Sequence, residues 1–241
     1  LFTASVYGQG LNFTNSEEKS NLPELPSDTY GFATDIPYSY SLEKFVPPVL
    51  NQEGGTCVGF STFYYALSTM YNKKFNITSA DEKYVHSFDP YFIYSIVFND
   101  LNDCESGLNF SQAFTNLNKI GAKKLFFPPF TTCNTRWSTE KLKNTLDYTM
   151  PYTINEWYYI NNEKPNSITT VKELISVYDV PVVIGMSIVK SIYSYNSENL
   201  AGVKNDGLWN PLDSEEVEGG HALCVIGYDD NKYGGSFEIQ N

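Results

Sequence analysis

The sequence is short of positive charge, of histidine and of cysteine, and each shortage closes a class of function. Its 241 residues hold 16 Lys and Arg against 28 Asp and Glu, for a net charge of −12. A field of that sign repels nucleic acid, and no basic cluster reverses it locally. Acidity otherwise serves solubility, or work in an acidic or extracellular fluid. Only His86 and His221 are present, and Cys57, Cys104, Cys133 and Cys224 form no Cys-x-x-Cys pair. Structural zinc is therefore not expected, and four cysteines are too few for a disulfide scaffold at this length. No metal or cofactor is called for. No apolar run approaches the ~18 residues of a membrane helix. The longest, Val-Pro-Val-Val-Ile-Gly-Met-Ser-Ile-Val at 180–189, is of strand length and β-branched. Internal repeats and low-complexity tracts are also lacking. The chain opens on Leu1 rather than Met, which reads as a processed or cropped start with any signal peptide gone.

What is present is an ordinary globular composition, 41% hydrophobic and 18% charged, with a heavy 16% of aromatics. The length suits one large domain or two halves sharing a core. Glycosylation sequons at Asn12, Asn76 and Asn109 lend weak support to secretion. Residues 1–35 are polar with little periodicity and read as an extended arm or the remnant of a leader. The Phe-Val-Pro-Pro-Val-Leu segment continues extended to Leu50. From Cys57 the pattern changes: Phe60, Phe63, Tyr64, Leu67, Met70 and Tyr71 recur at three- and four-residue steps, an amphipathic helix of about four turns. A second helix is expected over 89–98, with Asp89 as N-cap and Pro90 at its first position. A third carries Phe110, Ala113, Phe114, Leu117 and Ile120 on one face and stops at Gly121. A further helix over 170–179 precedes strands at 181–189, 221–230 and 234–241. Helices first and strands second suggest an α+β fold in two lobes, 36–150 helical and 151–241 β.

Cys57 follows Gly54-Gly55-Thr56 and falls in the first turn of its helix. A thiol attacks carbonyl carbon as thiolate, and a helix N-terminus or a neighbouring imidazolium lowers its pKa. Of the two histidines, His86 sits in a polar link between helices and reads as solvated. His221, after Gly219-Gly220, opens a β-branched strand; the glycines let the backbone approach something closely. Taken alone, His221 suits a structural histidine as well as a base. Cys57 alone suits a buried thiol. Cys224 alternates onto a buried strand face and is read as inert.

These residues resemble the papain-like cysteine proteases, the family of papain and the cathepsins. Asn-Gln-Glu-Gly-Gly-Thr-Cys-Val-Gly-Phe-Ser at 51–61 resembles its Gln…Gly-x-Cys-x-x-Phe-Ser signature. Ser-Phe-Asp-Pro-Tyr-Phe-Ile-Tyr at 87–94 is similar to its Ser-Pro-x-x-Ile-Tyr helix start. The 103–130 segment follows its Cys-x-Gly-Gly…Ala…Gly…Tyr-Pro-Tyr stretch. The strands carrying Pro181-Val182, Gly220-His221-Ala222 and Phe237…Asn241 match three more of its motifs, in order over roughly residues 36–241.

The resemblance implies a papain-like two-lobe fold, a helical lobe beside an antiparallel β-barrel-like lobe. It also implies a cysteine endopeptidase working through an acyl-enzyme. Cys57 would be the nucleophile, His221 the proton acceptor and donor, and Asn241 the group orienting the imidazole. Gln52 and the Cys57 N–H would meet the oxyanion. Partners would be a protein or peptide substrate and a protein inhibitor or leader segment, in a secreted or acidic-vesicle setting. The chain departs from the pattern in having Val58 after the nucleophile, and Gln52 five residues before it with Asn51 at six. Gly54 stands where the family has a cysteine. Cys104 and Cys133 are left either to pair with each other or to remain two thiols. The family runs on past its asparagine with more strands, so the C-terminal strands are expected to be missing and the sequence to be a piece of a longer chain. Two other readings share these residues: a catalytically inactive papain-like subunit or binding module of an extracellular assembly, and an acyl transferase.

Overall fold

The computed structural model describes residues 10–31, 33, 35–98, 105–126, 131–132, 140, 152–192, 208–209, 211 and 214–241. Cys104 and Cys133, and with them the question of their pairing, lie outside the described residues.

The long helix α2 spans residues 57–74, after a short helix α1 (Ser16–Ser20) and a short strand β1 (Ser39–Ser41). Gly54 turns into α2 at φ +56°, and the Thr56 hydroxyl closes the turn by donating to the Glu53 carbonyl at 2.6 Å. The middle of α2, Phe60–Leu67, is a π-helical stretch. Its wider turns carry aromatic side chains to two sides instead of one. Cys57, Val58 and Phe63 enter a core of helices with Ile93, Tyr94, Leu117 and Ala222. Phe60, Tyr64, Tyr65 and Ala66 enter a second core with Ile175, Cys224, Val225 and Ile226. The single apolar stripe expected from sequence is thus a helix packed on both flanks.

Around it stand α3 (Ala80–Val85), α4 (Phe92–Val97), α5 (Phe110–Lys119) and α6 (Ser167–Ser176). Helix α5 starts where the pattern predicts. The Asn109 side chain accepts from the Gln112 N–H at 2.8 Å while Gln112 returns a bond to the Asn109 N–H, a full capping box. Helix α4 begins later than predicted, with Tyr91 as its cap. Asp89 is turned inward instead, ion-paired to Lys123 at 3.0 Å with both side chains fully buried, and bonded by the Thr131 hydroxyl. A buried carboxylate needs a cation more than a helix end needs a cap. Helix α6 runs three residues earlier than predicted. Helix α3, which the sequence pattern does not announce, is opened by Ser79 accepting from the Glu82 N–H at 3.2 Å, and His86 caps its end in the link to α4.

The sheet is antiparallel: β2 (Val182–Val189), β3 (Val217–Asp229) and β4 (Ser236–Gln240) with β1. β3 is central, flanked by β2 and β1 along one side and β4 along the other. Residues 39–41, within the 36–150 stretch assigned to the helical lobe, join this sheet, because their backbone completes the ladder of β3 beyond the end of β2. The described strands leave the sheet open, not closed into a barrel. Residues 221–228 of β3 are buried throughout, covered by α2 and α6.

Candidate active site

Strand register brings His221 and Asn241 together. Gln240 pairs with Cys224 in the β3–β4 ladder, so Asn241 stands opposite Leu223, whose side chain shares a strand face with His221. The His221 Nε2 lies 2.7 Å from Asn241 Oδ1. An amide oxygen only accepts, so Nε2 carries the hydrogen. The Tyr65 hydroxyl donates to the Asn241 backbone oxygen at 3.2 Å, tying that asparagine to α2. His221 is 2% exposed.

Cys57 faces the same strand. It shares a core with Ala222, and backbone hydrogen bonds from Ala222, Val58 and Cys57 itself act on its sulfur. The residue next to His221 therefore touches the thiol, across the junction of α2 and β3. Burial nevertheless dominates its acidity, and the thiol is pushed up to about 12. A helix N-terminus was expected to lower it; the backbone bonds do act downward, but at 1% exposure desolvation wins. Cys224, fully buried behind the strand, is pushed higher still by burial alone, in keeping with an inert thiol.

Gln52 is half-buried and folded over its own loop, its Nε2 donating to the Gly54 carbonyl at 2.9 Å. His86 stacks on Tyr71, with centroids 5.9 Å apart. Among the described residues, no group of three or more His, Cys, Asp or Glu side chains could hold a metal ion. No helix among them is long and apolar enough to cross a membrane.

The sequence reading missed what the glycines beside Cys57 and His221 accommodate. Arm residues 10–13 run between them. The Leu11 N–H donates to the Gly220 carbonyl at 3.1 Å, and on the other side the arm pairs in parallel with Leu108. A Cβ on Gly10 would fall 2.0 Å from the Gly55 oxygen. The available signal was small: Gly-Leu-Asn-Phe stands at 10–13 and again at 107–110, so the paired stretches are the same tetrapeptide. Four residues are too few to register as a repeat.

No family model matches the sequence, and no curated protein matches it. Solved structures do. Xylellain, a cysteine protease from Xylella fastidiosa, is 20% identical with a TM-score of 0.66, over 100% of this chain and 86% of that one. Procathepsin B S9 from Trypanosoma congolense is 13% identical with a TM-score of 0.69, over 96% and 75%. Recombinant stem bromelain precursor is 16% identical with a TM-score of 0.60, over 99% and 72%. With α2 delivering Cys57 to the strand of His221, and neighbours of this kind along its whole length, the chain has the fold of the papain-like cysteine proteases.

Proposed function

We propose that the chain is a cysteine endopeptidase with Cys57 as nucleophile and His221 as its base. The observation that carries the reading is the 2.7 Å contact of His221 with Asn241 on the strand whose Ala222 touches the Cys57 sulfur. With Nε2 committed to Asn241, Nδ1 takes the thiol proton as sulfur attacks the carbonyl carbon of a peptide. The oxyanion is met by the Cys57 N–H and by the Gln52 amide, which has a second hydrogen besides the one given to Gly54. The imidazolium returns the proton to the leaving amine as the C–N bond breaks. Water, deprotonated by the same ring, then cleaves the thioester.

A thiol held near 12 is not a resting nucleophile, so the proton transfer to His221 is part of the reaction path. Secretion or delivery to an acidic vesicle belongs to the same reading. It is supported by the sequon at exposed Asn76 and by neighbours described as digestive procathepsins of a larval midgut.

The test is labelling with a peptidyl fluoromethylketone, mapped by mass spectrometry, alongside hydrolysis of a fluorogenic peptide. Stoichiometric modification of Cys57 that disappears in folded His221→Ala is expected. Absence of both labelling and hydrolysis in folded protein whose cleft is open would favour the inactive scaffold.

A further inference from the structure

Three segments of the candidate site meet at Tyr65. The residue is 1% exposed, and its ring packs in one core with Cys224, Val225 and Ile226 of β3. Its hydroxyl donates to the Asn241 backbone oxygen at 3.2 Å. The Leu50 N–H and the Gln240 side chain stand close enough to act on the same oxygen. One hydroxyl therefore joins α2, the segment leading to Gln52 and the end of β4.

The segment before Gln52 is pinned along α2 at successive places. Asn72 Nδ2 donates to the Phe45 carbonyl at 2.9 Å, and the Tyr64 hydroxyl to the Pro48 carbonyl at 2.6 Å. Tyr65 comes next, at Leu50, just ahead of Gln52. Two successive tyrosines serve one stretch because they stand in the π-helical part of α2, with ring centroids 5.0 Å apart. A π turn holds more residues than an α turn, so neighbouring side chains diverge less around the axis.

Asn241 stands where such a hold matters. It follows Gln240, whose pairing with Cys224 ends the β3–β4 ladder. Its side chain meets the His221 ring at 2.7 Å, so a shift of its main chain moves the acceptor of that bond. A buried hydroxyl is satisfied by one partner. This one instead touches the chain on both sides of the site, next to the residue that meets the imidazole and next to the loop of Gln52.

We propose that Tyr65 is a positioning residue, holding the Asn241 main chain and the approach to Gln52 from one oxygen, so that the imidazole's partner and the oxyanion donor keep a fixed separation. Its kinetic consequence rests on the peptidase reading; its geometry does not. A misplaced reacting group costs about 10²-fold in rate, whereas a neutral hydrogen bond shifts an equilibrium by about two- to tenfold. Tyr65 acts through Asn241 and Gln52 and touches no reacting atom, so its loss belongs to the smaller scale.

The experiment reads the His221 ring by NMR in the full chain carrying nitrogen-labelled histidine. Only His86 and His221 give signals, and His86→Gln tells them apart. Asn241→Ala sets the shifts of a ring that has lost Asn241. In Tyr65→Phe, which removes one oxygen and keeps the aromatic ring, the His221 nitrogen shifts should move toward those of Asn241→Ala. Tyr64→Phe, which loses its bond to Pro48, should leave them at the parent's values. Protection of buried Cys224 from iodoacetamide reports folding in each variant. Parent-like shifts in folded Tyr65→Phe overturn the proposal, and so does an equal shift in Tyr64→Phe, the mark of a general loosening of α2. Should Tyr65→Phe expose Cys224, the oxygen serves the fold and the proposal falls.

Peptide hydrolysis supplies a separate measure. Tyr65→Phe should lower kcat by about five- to tenfold with KM little changed, a split that lost stability alone does not produce in folded protein. An unchanged kcat overturns the proposal. A parent without hydrolysis defeats the peptidase reading instead, and the His221 shifts then still decide whether Tyr65 places Asn241.

Discussion

His221 reaches Asn241 across the β3–β4 pair, its Nε2–H donating to Oδ1 at 2.7 Å. This bond fixes both the tautomer and the plane of a ring whose other nitrogen is assigned the proton transfer. Asn241 is exposed, and its backbone is held separately by Tyr65. Replacing its side chain therefore tests orientation without testing the fold. Asn241→Ala should lower kcat on a peptide substrate by about 10²-fold, the scale of a misplaced reacting group, with KM little changed. A melting temperature equal to the parent's would show that the loss is catalytic.

The buried Asp89–Lys123 pair at 3.0 Å makes a stability prediction. Desolvation pushes the Asp89 carboxyl up, and the nearby ammonium of Lys123 pulls it back. Lys123→Met removes that compensation and should destabilise the chain by about 3–5 kcal/mol in urea denaturation. The double variant Asp89→Leu/Lys123→Met should recover most of the loss, since an apolar pair leaves no charge stranded.

Lys124 makes a pH prediction. Burial lowers its ammonium to about 7, whereas the unfolded chain holds that proton up to its ordinary 10.5. Between those values unfolding takes up a proton, so stability from this group rises with pH through the window and is lost as pH falls through about 7. The rings of Tyr71 at 3.3 Å, Phe88 at 3.7 Å and Tyr152 at 4.8 Å attract the ammonium and moderate the effect. The urea midpoint should climb between pH 7 and about 8.5, below the range where buried thiols and tyrosines begin to oppose it. Lys124→Met should flatten the climb; equal slopes in parent and variant would refute the assignment.

Gly59 lies two residues after Cys57, where α2 crosses the segment leading into α4. A Cβ there would stand 2.2 Å from the Pro90 carbonyl oxygen and 2.7 Å from the Tyr94 ring. Because the first obstacle is backbone, Gly59→Ala should cost about 1–3 kcal/mol by overpacking. It should also slow peptide cleavage by moving Cys57. Unaltered stability and rate would show that the crossing is looser than it stands here.

Legibility followed the range of the forces involved. The start of α2 was readable because a Gly-Gly turn and a helical repeat are both local, and the strand of His221 because alternation is local. The start of α4 was not, because Asp89 is diverted to Lys123, 34 positions away and invisible to a capping rule. The arm was read only as polar and aperiodic. It is seated by backbone bonds to Gly220 and Leu108, and such bonds leave almost no trace in side-chain pattern. Asn241 and Gln52 were found only through resemblance to a family. Asn241 stands beside the imidazole, while Gln52 is bonded to its own loop at Gly54.

By itself, the sequence determined the helix that carries Cys57, the strand that carries His221 and the order of both, since turn chemistry and hydrophobic period act over a few residues. The tertiary structure alone decided that Ala222 touches the thiol, that β4 lies in the register bringing Asn241 to His221, and that Leu11 shares a core with Cys57 and Ala222. Those relations depend on backbone pairing and burial between segments distant in the chain, which a run of residue types does not encode locally. They also decided the acidity of Cys57, where desolvation by the assembled core overrides the helix end that the sequence made visible.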